Sequence, residues 1–416
     1  MLKQVEGSRA VAEAVALCRP EVICAYPISP QTHIVEELSR LVKSGQLSSC
    51  EYINVESEFA AMSVAIGASV TGARAYTATS SQGFLFMVEA VYNAAGLGLP
   101  IVMTLANRAL GAPINIWNDQ SDSMSQRDSG WLQLYAENNQ EAADLHIQAF
   151  KIAEMLSLPV MVCMDGFILT HAFEQVDLPS QSQVDSFLPG FTPRQVLDPD
   201  HPLSIGAMVG PEAFTEVRYL AHVRQLEALH VIPQVAAEFH ATFGRNSGGL
   251  VRGYHLADAE TVVVALGSVL GTIKDTIDEQ RERGVRIGAL GISAFRPFPA
   301  DEVRLSLGSA RRVVVVERAL APGIGGIVSD EIRIALAGVG PQVSAVIAGL
   351  GGRPITKASL HRLFDDAAQD RLQALTFLDL NRGLLEEEVR RLGDTPSGRY
   401  AEESLREVGV VAARAG

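Results

Sequence analysis

A carboxylate, a guanidinium and a hydroxyl occupy positions where an α/β chain usually does its chemistry. Glu58 follows the β-like run Tyr52-Ile53-Asn54-Val55 and opens a small-residue helix through Ala60, Ala61, Ala65 and Ala68. Ligands of α/β sheets sit beyond the carboxyl ends of strands, which is where this acid falls. The helix is too apolar for an ordinary surface helix. Glu58 is therefore either a first-turn acid favoured by the helix dipole or a site residue. Arg108 ends the apolar strand over residues 100–105. Its planar fork suits a carboxylate ligand, or a structural pair with Asp119 or Asp122. Ser29 stands between Pro27 and Pro30 in a rigid turn. It can cap the helix beginning near Gln31 or offer its hydroxyl to a ligand. The strand over residues 73–78 runs into Thr79-Ser80-Ser81-Gln82-Gly83, a loop of small polar donors. Three strands thus end in polar residues, and in a parallel sheet such ends line one edge.

The elements that must position these groups read as two α/β units. With 416 residues, two or three domains are expected. Hydrophobic residues make up 47% and charged residues 20%, enough for large cores. A net charge of −14 disfavours nucleic acid, whose phosphates need cations. No apolar run has the length of a membrane span, and the first residues lack a signal-peptide core; a cytoplasmic protein is expected. Cys18, Cys24, Cys50 and Cys163 cluster neither with one another nor with histidines. Zinc and iron–sulfur sites need such clusters, so no metal site is expected in this chain. In the first unit, helices are expected over residues 8–19, 84–96, 140–156 and 213–243, and a strand over 159–165. A polar loop spans residues 115–124 and includes Trp117, Asn118, Gln120 and Asp122; residues 177–205 read as a surface excursion. From about residue 255, strands over 260–266, 285–290, 312–317 and 343–348 alternate with helices, predicting a small parallel sheet. Gly323-Ile324-Gly325-Gly326 and Gly349-Leu350-Gly351-Gly352 fit neither dinucleotide nor Walker spacing and read as turns for close packing. No Walker loop, zinc-protease helix or Gly-x-Ser-x-Gly elbow is present. The polar tail from Asp366 reads as partner-contacting.

With these pieces assembled, the chain resembles the α subunit of a pyruvate-type 2-oxoacid:ferredoxin oxidoreductase along essentially its whole length. The resemblance rests on Tyr26-Pro27-Ile28-Ser29-Pro30, Val55-Glu56-Ser57-Glu58, Thr79-Ser80-Ser81-Gln82-Gly83 and Asn107-Arg108-Ala109-Leu110. Asn115-Ile116-Trp117-Asn118-Asp119-Gln120-Ser121-Asp122 and Arg296-Pro297-Phe298-Pro299 add to it. It implies an α/β fold: a thiamine-diphosphate pyrimidine-type domain over 1–245, a transketolase C-terminal-like domain over 255–365, and a partner-contacting tail over 366–416. It also implies coenzyme A-dependent oxidative decarboxylation of a 2-oxoacid. Thiamine diphosphate would be shared with a β subunit. Mg2+ and the 4Fe–4S iron–sulfur clusters would lie in β, γ and δ-type partner subunits, with ferredoxin or an NAD-reducing subunit as acceptor. The absence here of a Gly-Asp-Gly diphosphate motif and of cluster cysteines agrees with that division.

The resemblance assigns roles by position. Glu58 matches the glutamate that meets the aminopyrimidine ring nitrogen and sets its tautomer. Arg108 matches the residue that pairs with the substrate carboxylate. Ser29 stands where threonine is usual and would donate to the substrate, leaving a slightly roomier pocket. Pyruvate is the first expectation; an aryl acid such as phenylglyoxylate, or a branched 2-oxoacid, stays open. Pro27, Ser81, Gln82 and Gly83 are expected beside the cofactor, and Asn118, Gln120 and Asp122 near the site. The alternatives are a non-oxidative thiamine enzyme subunit and a non-catalytic scaffold.

Overall fold

The computed structural model describes residues 2–338, 340–393 and 395–407. The strands are β1 (Leu2–Glu6), β2 (Val22–Ala25), β3 (Glu51–Asn54), β4 (Ala75–Thr79), β5 (Val102–Asn107), β6 (Leu132–Tyr135) and β7 (Val160–Asp165). They continue with β8 (Phe173–Asp177), β9 (Val251–Tyr254), β10 (Thr261–Ala265), β11 (Ile287–Ile292), β12 (Ala294–Arg296), β13 (Arg312–Glu317) and β14 (Gln342–Ile347). The first sheet has the order β12-β6-β7-β5-β4-β2-β3. From β6 to β3 every pairing is parallel.

Alternation along the inner strands explains the layers. Tyr76, Ala78, Val102, Val160, Val162 and Met164 join one core with helices Gly7–Leu17, Thr32–Lys43 and Asn139–Leu156. Ala75, Met103, Leu105, Met161 and Cys163 join a second core with helices Glu58–Val70 and Val88–Leu97. Strands buried on both faces read as unbroken apolar runs, and β4, β5 and β7 are buried at every position. The second sheet is the expected parallel one, β14-β13-β10-β11, with β9 antiparallel at the β11 edge. Its Val262, Leu290 and Val313 share the second core.

Several local expectations change. Ser29 caps nothing: the residue before helix Thr32–Lys43 is Gln31, and no side chain bonds the cap. Residues 81–83 are not a loop, because a short helix already runs from Ser81 to Phe86. Helix Glu58–Val70 is buried on only one face. Ala61, Met62, Ala65 and Ser69 point inward, while Phe59, Ser63 and Gly67 are exposed. The turn at Phe295-Arg296 includes β12, which leaves the second sheet and pairs antiparallel with β6 of the first. The excursion over 177–205 holds helix Gln181–Phe187, closed by a Ser180–Gln183 capping box. Helix Lys357–Ala368 runs through Asp366, the expected start of the tail. Residues from Phe377 form a separate unit with helices Arg382–Leu392 and Pro396–Glu407. Asn381 caps the first of these through Leu384 N–H at 3.2 Å. Residues 408–416 of the expected tail lie outside the described residues.

Candidate active site

The carboxyl edge of the first sheet gathers the expected side chains. Ser57 takes extended backbone and caps helix Glu58–Val70 by accepting from Ala60 N–H at 3.2 Å. That fixes Glu58 in the first turn with 7% of its surface exposed. Its carboxylate has no hydrogen-bond or ion-pair partner among the described residues. Burial of this kind is costly unless a ligand completes it. The carboxylate lies against the α-carbon of Gly83, where a Cβ would stand 2.5 Å from Oε1. Thr79 Oγ1, 2.8 Å from the same point, is buried without a partner among the described residues. Glycine at 83 is thus what lets the Glu58 carboxylate and the Thr79 hydroxyl come this close to the helix, and a buried acid with no partner among the described residues suits a ligand's ring nitrogen, so these residues fit an aminopyrimidine.

Arg108 leaves β5 half-buried. Its Nη1 donates to Ser29 O at 3.0 Å and its Nε to Asn115 O at 3.2 Å. No carboxylate pairs with it among the described residues. Both structural partners weighed for it are otherwise engaged. Asp119 accepts from Ser121 and from Gly351 N–H at 3.0 Å. Asp122 accepts the backbone N–H of Arg108, not its guanidinium. Burial lowers the Arg108 pKa and the nearby Asp122 charge raises it. Ser29 is exposed, and its hydroxyl has no partner among the described residues. Pro27 is exposed beside it.

Asp122 holds two strand ends together. Its Oδ2 accepts from Ser81 N–H and Arg108 N–H, each at 3.0 Å; its Oδ1 accepts from Asn107 Nδ2 and Ser123 N–H, each at 2.8 Å. Burial still lifts its carboxyl to about 7, against the pull of these donors. Ser81 is fully buried, and its hydroxyl donates to Ala109 O at 2.6 Å. The N–H and O–H of Ser81 are thus both engaged within the chain, at the start of a helix and not in a loop. Gln82 lies against Gly111, where a Cβ would fall 2.7 Å from its Nε2.

Asn118 and Gln120 are likewise buried, not loop-surface groups. Asn118 has no side-chain partner among the described residues. Gln120 N–H donates to Arg318 O at 2.8 Å, and its Nε2 to Asp165 Oδ1 at 3.3 Å. Asp165 in turn pairs with Arg318 at 3.0 Å and accepts from Ser268. The Gly-rich turn after β14 seals the same loop: Asn115 Nδ2 donates to Gly351 O at 3.1 Å, and a Cβ at Gly352 would meet Trp117. The close-packing reading of that turn therefore holds. Sequence reasoning missed Thr79, Asp165 and Arg318. Only the strand-end position of Asp165 and Arg318 hinted at them. All four cysteines are buried and free.

An acid after β3 and an arginine after β5, both at the carboxyl edge of a doubly covered parallel sheet and backed by a second α/β unit, are the arrangement that the thiamine-diphosphate class of fold provides. The model of pyruvate flavodoxin/ferredoxin oxidoreductase, thiamine diphosphate-binding, matches residues 13–237, and that of pyruvate:ferredoxin oxidoreductase core domain II matches residues 259–360. The chain belongs to the pyruvate flavodoxin/ferredoxin oxidoreductase family. Pyruvate synthase subunit PorA of Methanosarcina barkeri is 47% identical over 92% of this chain and 97% of its own length. Ketoisovalerate oxidoreductase subunit VorA of Pyrococcus horikoshii is 41% identical over 88% and 93%. The 2-oxoglutarate:ferredoxin oxidoreductase from Magnetococcus marinus shares the fold at a TM-score of 0.65 and 17% identity. That alignment covers 88% of this chain and 65% of that one.

Proposed function

We propose that this chain is the α subunit of a thiamine diphosphate-dependent 2-oxoacid:acceptor oxidoreductase, with pyruvate as its 2-oxoacid. The observation that carries this is the presence, at one sheet edge, of a buried carboxylate and a guanidinium that both lack an ion-pair partner among the described residues. The 47% identity to a pyruvate synthase subunit favours pyruvate. The ketoisovalerate relative keeps a branched acid as the second reading.

When bound, thiamine diphosphate supplies a carbon nucleophile and an electron sink. Glu58 shares a proton with the ring nitrogen and so sets the charge of the pyrimidine. Gly83, lacking a Cβ, leaves room for that carboxylate to hold its place. Arg108, braced by two carbonyl oxygens, receives the substrate carboxylate through its remaining N–H groups. Ser29 donates its hydroxyl to the substrate and aligns it. Asp122 contacts no ligand in this reading; it fixes the backbones of Ser81 and Arg108.

The site is open on one side. Tyr26, Phe59, Phe86, Ile114, Ile116 and Trp117 remain exposed on the site-forming segments. An apolar rim of this kind marks an interaction surface. We assign it to a β subunit that brings the diphosphate, its Mg2+ and iron–sulfur ligation, with γ and δ-type components and ferredoxin or an NAD-reducing subunit beyond. We divide the chain at residues 245, 255 and 365. Among the described residues no helix is long and apolar enough to cross a membrane; with four free cysteines, we place the complex in the cytoplasm.

The test is viologen reduction by the native complex with a panel of 2-oxoacids, with and without coenzyme A. Pyruvate should dominate; preference for a branched or aryl acid would overturn the substrate assignment. Glu58→Gln should lower turnover by about 10²–10⁴-fold with assembly intact. Turnover at the wild-type level in that variant would sink the role given to Glu58.

A further inference from the structure

Glu6 ends β1 and stands at the N-cap of helix Gly7–Leu17, yet its side chain makes no cap bond. The junction is pinned to the segment before β8. Gly7 N–H donates to Ala172 O at 3.0 Å and Ser8 N–H to Thr170 O at 2.9 Å. A Cβ at Gly7 would lie 2.1 Å from Leu169 O, so glycine is what lets this segment approach. The approach carries His171 to Glu6. From another direction, helix Thr32–Lys43 presents His33 in its first turn, with His33 Nδ1 2.6 Å from Glu6 Oε1. One donor atom from each of Glu6, His33 and His171 lies within 4.8 Å of the other two.

The Glu6–His33 hydrogen bond accounts for part of this cluster, and ring contact with Phe167 at 4.8 Å accounts for part of His171. Two facts remain. Glu6 is 8% exposed, and its second oxygen has no hydrogen-bond partner among the described residues, which leaves it available to a cation. His33 and His171 also face each other with ring centroids 4.8 Å apart, which is unfavourable for two imidazoliums and favourable for two imidazoles on one ion.

We propose that Glu6, His33 and His171 bind a divalent transition-metal ion of the zinc or cobalt type. Two imidazoles and one carboxylate suit such ions better than Mg2+ or Ca2+, which prefer all-oxygen shells. Thr170 supplies the outer shell. Its Oγ1 lies 2.7 Å from His171 Nδ1 and accepts from Phe167 N–H at 2.8 Å. An Nδ1–H directed at Thr170 leaves Nε2 for the ion, the usual arrangement of a ligating histidine. With metal–ligand bonds of about 2.1 Å, donors in a tetrahedral shell stand about 3.4 Å apart. The Glu6–His33 pair opens and the widest pair closes to meet this, and His33 is exposed and able to turn. Water takes the remaining positions on the exposed side. The ion ties the start of the helix that follows the Ser29 turn to the segment between β7 and β8.

The test is titration of Co2+ into the untagged, chelator-stripped full chain, followed by ligand-field absorption and by Zn2+ competition. One equivalent should bind per chain. His33→Ala and His171→Ala should each weaken binding by more than about 100-fold, beyond the effect of losing an outer-shell partner. Thr170→Val should weaken it by about 10–100-fold. His201→Ala, at an exposed histidine outside the cluster, should change nothing, and circular dichroism should show every variant folded. No saturable bands in the wild type, or unchanged affinity in either cluster histidine variant, overturns the proposal.

Discussion

The α-carbon of Gly83 backs onto the Glu58 carboxylate, so that a Cβ there would stand 2.5 Å from Oε1 and 2.8 Å from Thr79 Oγ1. Gly83→Ala must therefore push Glu58 off its position or shift the helix that begins at Ser81. Misplacing a reacting group by about 1 Å costs about 10²-fold, and kcat/KM should fall by that order. Overpacking should also cost about 1–3 kcal/mol of stability. Steady-state kinetics and a denaturation curve of the same variant check both; unchanged kinetics would detach Gly83 from the site.

Arg108 uses a fork that lysine lacks. Two of its N–H groups hold Ser29 O and Asn115 O, and the others are left for a ligand. Arg108→Lys should raise KM for the 2-oxoacid about 10–100-fold, the worth of a charge-assisted hydrogen bond. KM for coenzyme A should stay put. A fall in kcat with both KM values unchanged would contradict a role in binding the substrate carboxylate.

Asp122 ties the folded state to pH. Burial raises its carboxyl to about 7 from 3.8. The folded chain therefore holds this proton more tightly than the unfolded chain. Between about pH 4 and pH 7 the unfolded state releases it first, and ionisation progressively disfavours the fold. Stability of the wild type relative to Asp122→Asn should thus fall as pH rises through that window and level off above it. The full swing is on the order of 4 kcal/mol. Denaturation of both full chains from pH 4 to 8 measures the difference; a flat difference would show that Asp122 does not titrate there.

Asp165 and Arg318 form an ion pair at 3.0 Å between β7 and β13, with side chains 1% and 7% exposed. Removing one partner leaves the other charged and buried. Asp165→Asn should cost about 3–5 kcal/mol, read as a lowered denaturation midpoint. A loss below about 1 kcal/mol, on the scale of an exposed pair, would show that water reaches Arg318.

Much of this was legible in the residues. Inner parallel strands are apolar on both faces, so β4, β5, β7 and β13 stand out as continuous runs. Polar residues at the ends of β4 and β5, and just beyond β2, then mark one edge. What escaped was whatever depends on partners distant in the chain. Ser81 reads as a free donor until Asp122 and Ala109 are seen to engage it. Helix Glu58–Val70 reads as buried because composition shows how apolar it is, not which face is covered. Glu6 and His33 are 27 residues apart, and His171 is far beyond both; no spacing motif joins them. The three residues of β12 are too few to carry a period.

Strand β12 has one further consequence. The chain leaves β11 in the second sheet, places Ala294–Arg296 on β6 of the first, and returns to β13. The two α/β units are thereby stitched across their boundary by backbone hydrogen bonds. A hinge between them cannot open without tearing that ladder. The amides of β6 should therefore exchange with solvent only when the whole two-unit body unfolds.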